Sequence, residues 1–293
     1  MKFRLAVLDI DGTLLDPTGR VAPRVRDAVC AVLDSGCLVT LASGRRLWAV
    51  RPIVEALGID VPVILYNGAI VYDLAREQAL LTAHLPPELL RQAVGVIWSA
   101  GFQPVVYESP LYGERVFTGP LHRDNAATAH YFNRPTVQPV RVQPDLLSLV
   151  TNPLLLAAMG DETEVRGLQP MVSGYAIACH TLVERQSFVP DSAWWQLDVT
   201  APACSKGNAL LQLCALTGVR PEETLAVGDG INDLELIRLA GFGVAMGNAV
   251  PEIRAAAASV VSDNAHGGAA EALERFVLGV AARLEKSDMR DPV

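Results

Sequence analysis

The stretch Leu5-Ala6-Val7-Leu8-Asp9-Ile10-Asp11-Gly12-Thr13 decides the fold. Its apolar run is short and bounded by Asp11-Gly12, the pattern of a buried strand over Leu5 to Ile10. A strand apolar on both faces belongs inside a sheet covered on both sides. Two carboxylates at the end of such a strand cost desolvation energy unless something compensates. A hard divalent cation would do so, and Mg²⁺ prefers one or two carboxylates plus phosphate oxygens. The structural alternative is a turn at Asp11-Gly12 with Asp9 as a helix cap, and these residues alone leave both readings open.

The same rhythm continues outward. A helix is expected over Val21 to Leu33, a strand over Cys37 to Ala42 and a helical face on Leu47, Val50, Val54 and Leu57. Pro52 interrupts that face, so a kink or a late helix start is expected. Val61 to Tyr66 reads as a third strand before the turn Asn67-Gly68. Near the other end, helices over Ala209 to Leu216 and Leu234 to Ala240 alternate with strands over Leu225 to Val227, Phe242 to Met246 and Ser259 to Ser262. Alternating strands and helices imply an α/β fold with a doubly wound, mainly parallel sheet. Ligands in such folds bind outside the carboxyl ends of the strands. From about Ala83 to Val199 the alternation weakens and prolines are frequent. Candidate strands there are Pro104 to Tyr107, Leu154 to Met159 and Tyr175 to His180. The expected organisation is a core of residues 1–82 and 200–293 with an inserted α+β cap of residues 83–199.

The chain has 293 residues, 51% hydrophobic and 19% charged, which favours a sizeable core over disorder. Its net charge of −8 lacks the basic footprint of a nucleic-acid binder, yet leaves room for a locally positive site for an anionic metabolite. The five cysteines, Cys30, Cys37, Cys179, Cys204 and Cys214, form no CxxC pair, and they read as reduced thiols. No apolar run approaches the roughly 18–20 residues of a membrane span, and the N-terminus does not resemble a signal peptide. A cytoplasmic protein, monomer or homodimer, is expected.

Three further segments sit at strand ends or helix starts. Ser43-Gly44-Arg45 offers a hydroxyl and free amides at a helix start, either an anion site or an ordinary N-cap. Ser205-Lys206-Gly207 precedes a helix, so Lys206 either offsets phosphoryl charge or is a solvated surface lysine. Lys206 is one of only three lysines, with Lys2 and Lys286. Gly228-Asp229-Gly230-Ile231-Asn232-Asp233 brings two more acids near the first pair, although Asp233 could instead cap the next helix.

Taken in order, the four segments resemble the motifs of the haloacid dehalogenase-like superfamily. Asp9-Ile10-Asp11-Gly12-Thr13 is similar to its DxDGT loop, and Ser43, Lys206 and the Gly228–Asp233 stretch to its second, third and fourth motifs. Tyr66-Asn67-Gly68-Ala69, the run from Val199 to Lys206, and Gly247-Asn248 with the Ala255 to Val261 segment resemble the Cof-like sugar-phosphatase branch, which carries a C2-type cap. One stretch departs from that branch. After Asn264 it shows an acidic residue, Gly and Val, where this chain has Ala265-His266-Gly267-Gly268.

The resemblance implies a Mg²⁺-dependent phosphatase acting on a small phosphorylated metabolite, a sugar phosphate or similar phosphomonoester. It implies Asp9 as nucleophile through an aspartyl-phosphate, Asp11 as acid and base, and Ser43 and Lys206 as phosphoryl-group stabilisers. Gly12, Gly44, Arg45, Asn67 and Asn232 fall to phosphate or substrate binding, and Asp9, Asp11, Asp229 and Asp233 to the metal. A sugar phosphomutase and a non-catalytic phosphate sensor on the same fold are the alternatives. Arg115, His122, Arg123 and Arg185 are candidate cap contacts or plain surface residues. Trp194-Trp195 either lines the cleft or, the favoured reading, fills the core.

Overall fold

The computed structural model describes residues 3–109, 114–134, 137, 139–142, 145–175, 180–185, 194–202 and 204–280. The chain runs β1 (Leu5–Leu8), α1 (Pro23–Asp34), β2 (Leu38–Leu41), α2 (Leu47–Leu57), β3 (Val63–Leu65), β4 (Ile70–Asp73) and β5 (Gln78–Thr82). It continues with α3 (Pro87–Ser99), β6 (Val105–Glu108), β7 (Val116–Thr118), α4 (Ala126–Phe132), β8 (Val140–Arg141), β9 (Pro153–Gly160), α5 (Glu162–Tyr175), β10 (His180–Arg185) and β11 (Trp195–Thr200). It ends with α6 (Lys206–Thr217), β12 (Thr224–Gly228), α7 (Leu234–Leu239), β13 (Phe242–Ala245), α8 (Pro251–Ala256), β14 (Ser259–Val260) and α9 (Gly268–Ala272). Among the described residues, no helix is long and apolar enough to cross a membrane. Cys30, Cys37, Cys204 and Cys214 are free thiols, whereas Cys179 lies outside the described residues.

The first sheet has the order β14-β13-β12-β1-β2 and is parallel throughout. β1 lies between β2 and β12, so the sheet switches direction of growth at β1. The register pairs Leu8 with both Leu41 and Val227. The next residues of all three strands therefore emerge together, at the edge where α/β folds bind ligands. Full burial of all four β1 residues matches the apolar run in the sequence.

The third strand does not extend this sheet as alternation suggested. β3 meets β2 only through an isolated parallel bridge between Ala42 and Ile64, then turns back on β4 and β5 as an antiparallel trio. Short β hairpins follow a turn, and Tyr66 and Asn67 adopt positive φ of 51° and 54° there. Gly68 follows at φ 99°, and an added Cβ would collide with the Ser205 carbonyl. That close approach anchors the start of α6 against the turn. The late helix start that Pro52 suggested does not occur. α2 begins at Leu47 and runs through Pro52 to a left-handed cap at Gly58.

A six-stranded sheet, order β10-β11-β9-β6-β7-β8, occupies the middle of the chain. Its pairings are antiparallel except β7 with β8. The expected strand over Tyr175 to His180 is displaced: Tyr175 ends α5 and the strand begins at His180. Period-two alternation splits β11 between two environments. Leu197 and Val199 join Leu156, Val106, Phe117, α3 and α5 in one apolar core. Gln196 and Asp198 point to the opposite face, together with Tyr107 and Leu155. Trp194 and Trp195 are half-buried, Trp194 against the first core and Trp195 against the second.

Leu156 is fully buried in this second core. Its truncation to Ala removes transfer energy and leaves a cavity. Leu156→Ala is expected to destabilise the protein by about 3 kcal/mol in urea unfolding.

Candidate active site

The first loop leaves β1 at Asp9 and folds into one wide helical turn, Ile10–Leu14, in which Gly12 takes φ 80°. A Cβ at Gly12 would collide with the Asp229 carboxylate, so glycine lets the two loops touch. Thr13 Oγ1 donates to Asp229 Oδ1 at 3.0 Å, and Asn248 Nδ2 bonds the Gly12 carbonyl at 2.8 Å. Asn264 in turn donates its backbone amide to Asn248 Oδ1 and its side-chain amide to the Leu15 carbonyl. The departing loop thus still braces the site through Asn264, while His266 is exposed and pairs with Asp263 at 2.6 Å.

At the centre lies Lys206, the first residue of α6, fully buried although a solvated lysine was the alternative. Its Nζ donates to Asp9 Oδ1 at 2.6 Å and to Asp233 Oδ1 at 2.7 Å. Asp233 Oδ2 accepts from the backbone amides of Asp229 and Gly230, both at 3.0 Å. Asp233 therefore fastens both the lysine and the loop that presents Asp229. Burial works to lower the lysine's pKa, but the carboxylates of Asp233 and Asp9 overrule it and hold the ammonium protonated.

The carboxylates remain short of positive charge. Burial, then repulsion from Asp233, raises the Asp9 pKa well above the usual range despite Lys206. The same two causes push Asp229 up to about 7. Ligand oxygens of Asp9, Asp229 and Asp233 all lie within 4.8 Å of one another. Three acids against one lysine, all oxygen donors, fit a hard divalent cation.

Asp11 faces the other way. Arg45 grips it in a fork, Nε to Oδ2 at 2.7 Å and Nη2 to Oδ1 at 2.6 Å. Ser43 is buried, and its Oγ accepts from the Arg45 amide at 3.1 Å. The amide of Asn67 bonds the Ser43 carbonyl, which ties the second loop to the Tyr66-Asn67 turn. Asn67 accepts from Asn232 at 3.1 Å and donates to Asp198 at 3.0 Å. An added Cβ at Gly44 would press on the Asn67 amide. All eleven residues expected at the site thus fall in one connected cluster.

Of the candidate cap contacts, Arg115, His122 and Arg123 do not join it. Arg115 pairs with Glu108 at 2.7 Å and lies over Phe117. His122 is exposed, and Arg123 is exposed over the Trp98 ring. The side chain of Arg185 lies outside the described residues. Beside the cluster, and missed from sequence, is a cavity of about 300 Å³ with Gly44 and Arg45 on its wall. Tyr66, Tyr107, Tyr131, Arg134, Gln196 and Asp198 also line it. The one available signal was Gln196 and Asp198 alternating with apolar neighbours in Gln196-Leu197-Asp198-Val199.

The haloacid dehalogenase-like hydrolase model matches residues 6–273. The HMP-PP phosphatase of Serratia proteamaculans is 30% identical over 86% of both chains. The pyridoxal phosphate phosphatase of Escherichia coli is 27% identical, over 90% of this chain and 95% of its own. Among solved structures, a phosphatase of the haloalkanoate dehalogenase superfamily from Bacteroides thetaiotaomicron superposes with a TM-score of 0.76 at 26% identity, covering 94% of this chain and 96% of its own.

A carboxyl whose folded pKa exceeds its unfolded value binds its proton more tightly when folded. For Asp229 that contribution is complete below its ordinary value of 3.8 and is lost as pH rises through about 7. With divalent cations chelated, Asp229→Asn is therefore expected to raise the melting temperature relative to wild type by a few degrees more at pH 8 than at pH 5. Differential scanning fluorimetry at the two pH values checks this.

The order of the four loops, their convergence at one sheet edge and the match over residues 6–273 make one statement: the chain belongs to the haloacid dehalogenase-like hydrolases, on the Cof-like branch, and is a phosphoric monoester hydrolase.

Proposed function

We propose that this chain is a Mg²⁺-dependent phosphatase that hydrolyses a small phosphorylated metabolite through a phosphorylated Asp9, with residues 83–199 acting as the cap. The observation that carries the reading is the buried Lys206 shared by Asp9 and Asp233, with Asp229 alongside. Relatives named as phosphatases of HMP-PP and of pyridoxal phosphate support a small phosphomonoester as substrate.

Two unit charges at ~4 Å repel by roughly 4 kcal/mol at an effective dielectric of 20. A carboxylate attacking a phosphate dianion therefore needs fixed positive charge. Asp9, Asp229 and the Asp11 backbone carbonyl would hold the metal, with Asp233 beside them. When bound, Mg²⁺ supplies charge neutralisation and polarises the phosphoryl oxygens. Lys206 holds Asp9 Oδ1, which fixes the rotamer of the nucleophile and leaves Oδ2 to attack. The Ser43 hydroxyl and nearby amides bind non-bridging oxygens.

Asp11 must carry a proton to serve the leaving oxygen. The Arg45 fork occupies both Asp11 oxygens, so Arg45 has to let go of one before Asp11 can pass a proton. A phosphoryl group arriving beside Gly44 offers that guanidinium a competing pair of oxygens. The P–O bond to the alcohol then breaks as Asp9 bonds phosphorus, and Asp11 gives its proton to the alkoxide. In the second half, Asp11 takes a proton from water as the water oxygen attacks phosphorus, and Asp9 is freed with release of inorganic phosphate.

Asp9→Asn and Asp11→Asn are each expected to reduce steady phosphate release by at least about 10³-fold while keeping a native circular dichroism spectrum. Wild-type-like turnover in either variant would sink the assignment. Treatment with EDTA should abolish activity and added Mg²⁺ restore it; a chelator-resistant enzyme contradicts the metal role.

A further inference from the structure

Among the described residues, three of the four non-glycine positions with positive φ meet at one junction. Tyr66 and Asn67 take φ 51° and 54° in the turn after β3, and Glu114 takes φ 50° shortly before β7. The left-handed region is unfavourable for residues that carry a side chain, and it persists where surrounding contacts enforce it. Such residues cluster at functional sites.

The contacts that enforce it converge on the Glu114 carboxylate. Oε1 accepts from the Tyr66 hydroxyl at 2.8 Å and from the Leu47 amide at 2.7 Å. Oε2 accepts from the Trp48 amide at 3.0 Å. Leu47 and Trp48 open α2, and Arg46 before them gives the helix no side-chain cap. A carboxylate from a distant segment thus satisfies two amides that a helix leaves unpaired, and its charge suits the positive end of the helix. Burial, then the charge on Glu114, raises the Tyr66 pKa well above its usual value, so the hydroxyl stays a donor. All three partners are donors, and a carboxylate is purely an acceptor with roughly four positions. An amide side chain would turn a donor of its own towards one of them.

Both fastened segments shape the site. The Tyr66 amide bonds the Arg45 carbonyl at 3.3 Å, the Asn67 amide the Ser43 carbonyl at 3.1 Å, and the Ser43 amide the Ile64 carbonyl at 2.9 Å. The Ser43 loop and the Tyr66-Asn67 turn are therefore joined backbone to backbone. Glu114 closes that junction at the end where α2 begins, and Asn67 carries it on to Asn232 at 3.1 Å.

We propose that Glu114 is a positioning residue: from between β6 and β7 it fixes the paired Ser43 loop and Tyr66-Asn67 turn in the geometry that receives the phosphoryl group. The proposal rests on the phosphatase reading. It gives residues 83–199 a part in phosphoryl transfer that does not depend on the leaving group.

The test uses p-nitrophenyl phosphate with Mg²⁺ present, and inorganic phosphate as a competitive inhibitor, because phosphate carries no leaving group. Glu114→Ala keeps a Cβ and so leaves the backbone demand at this position unchanged. It is expected to keep a native circular dichroism spectrum, to lower kcat by about tenfold or more and to weaken inhibition by phosphate by about threefold or more. Glu114→Gln, which retains one accepting oxygen, should fall between Ala and wild type. Tyr66→Phe removes one donor from the same carboxylate and should lower kcat by about threefold, which carries the test if Glu114→Ala does not fold. Combining it with Glu114→Ala should add no further loss. Wild-type kcat and phosphate inhibition in either folded single variant overturn the proposal. So does a loss confined to KM with phosphate inhibition unchanged, which would assign Glu114 to the leaving group, and so does a double variant whose losses multiply. No phosphate release by the wild type from p-nitrophenyl phosphate or pyridoxal 5′-phosphate overturns the phosphatase reading itself, and this proposal with it.

Discussion

The buried ammonium of Lys206 holds the site together. It is reached from two directions, by Asp9 at the end of β1 and by Asp233 before α7, and it sits at the start of α6. A buried ion of this kind is stabilising only when its partners are complete, and removing one partner leaves an uncompensated charge in a low-dielectric interior. Gly68 allows α6 to dock on the Tyr66-Asn67 turn, and Gly12 allows the Asp229 loop to close on the Asp9 loop. The steric demands of two glycines thus serve the electrostatic demand of one lysine. With three carboxylates nearby, the lysine does not neutralise the cluster, and burial first, then repulsion from Asp233, raises the Asp9 and Asp229 pKa values.

The sheet topology explains why such distant residues meet. Asp9, Ser43 and Asp229 are separated by long stretches of chain, yet each lies one or two positions beyond parallel strands in matched register. Only the strands need to be adjacent for the loops to converge. That rule made the outer parts legible from sequence, because short apolar runs ending in polar residues mark strand ends. The apolar run at Leu5–Leu8 marked Asp9 as a strand-end residue, whereas Lys206 read locally as a solvated lysine and was brought to the site only by the family resemblance that the order of the four segments carries.

The cavity was not legible in the same way. Its walls come from β11, β9, β6, α4 and the turn after β3, whose pairings depend on antiparallel register across a six-stranded sheet. A one-residue slip exchanges the two faces of a strand. Before the register was known, Gln196 and Asp198 could have faced solvent, and Tyr107 and Tyr131 had no reason to be neighbours. Arg115, His122 and Arg123 were chosen for polarity near loops, and that criterion finds surface residues because most arginines and histidines in loops are solvated. Similarly, the alternation of strands could not show that β3 leaves the parallel sheet after a single bridge, since Val63–Leu65 is apolar in either setting.

Arg45 links the two halves of the site. One face of its guanidinium grips Asp11, while the residue also lines the cavity beside Gly44. Without substrate, the fork holds both oxygens of Asp11. A phosphoryl group would compete for the same donors, because two of its tetrahedral oxygens match the guanidinium fork as the two carboxylate oxygens do. Under the proposed reaction, substrate binding and the freeing of the Asp11 oxygens would be one event. Under that proposal the seating of the substrate beside Gly44 and Arg45 would matter to chemistry as well as affinity, because the residue that grips Asp11 also lines the cavity.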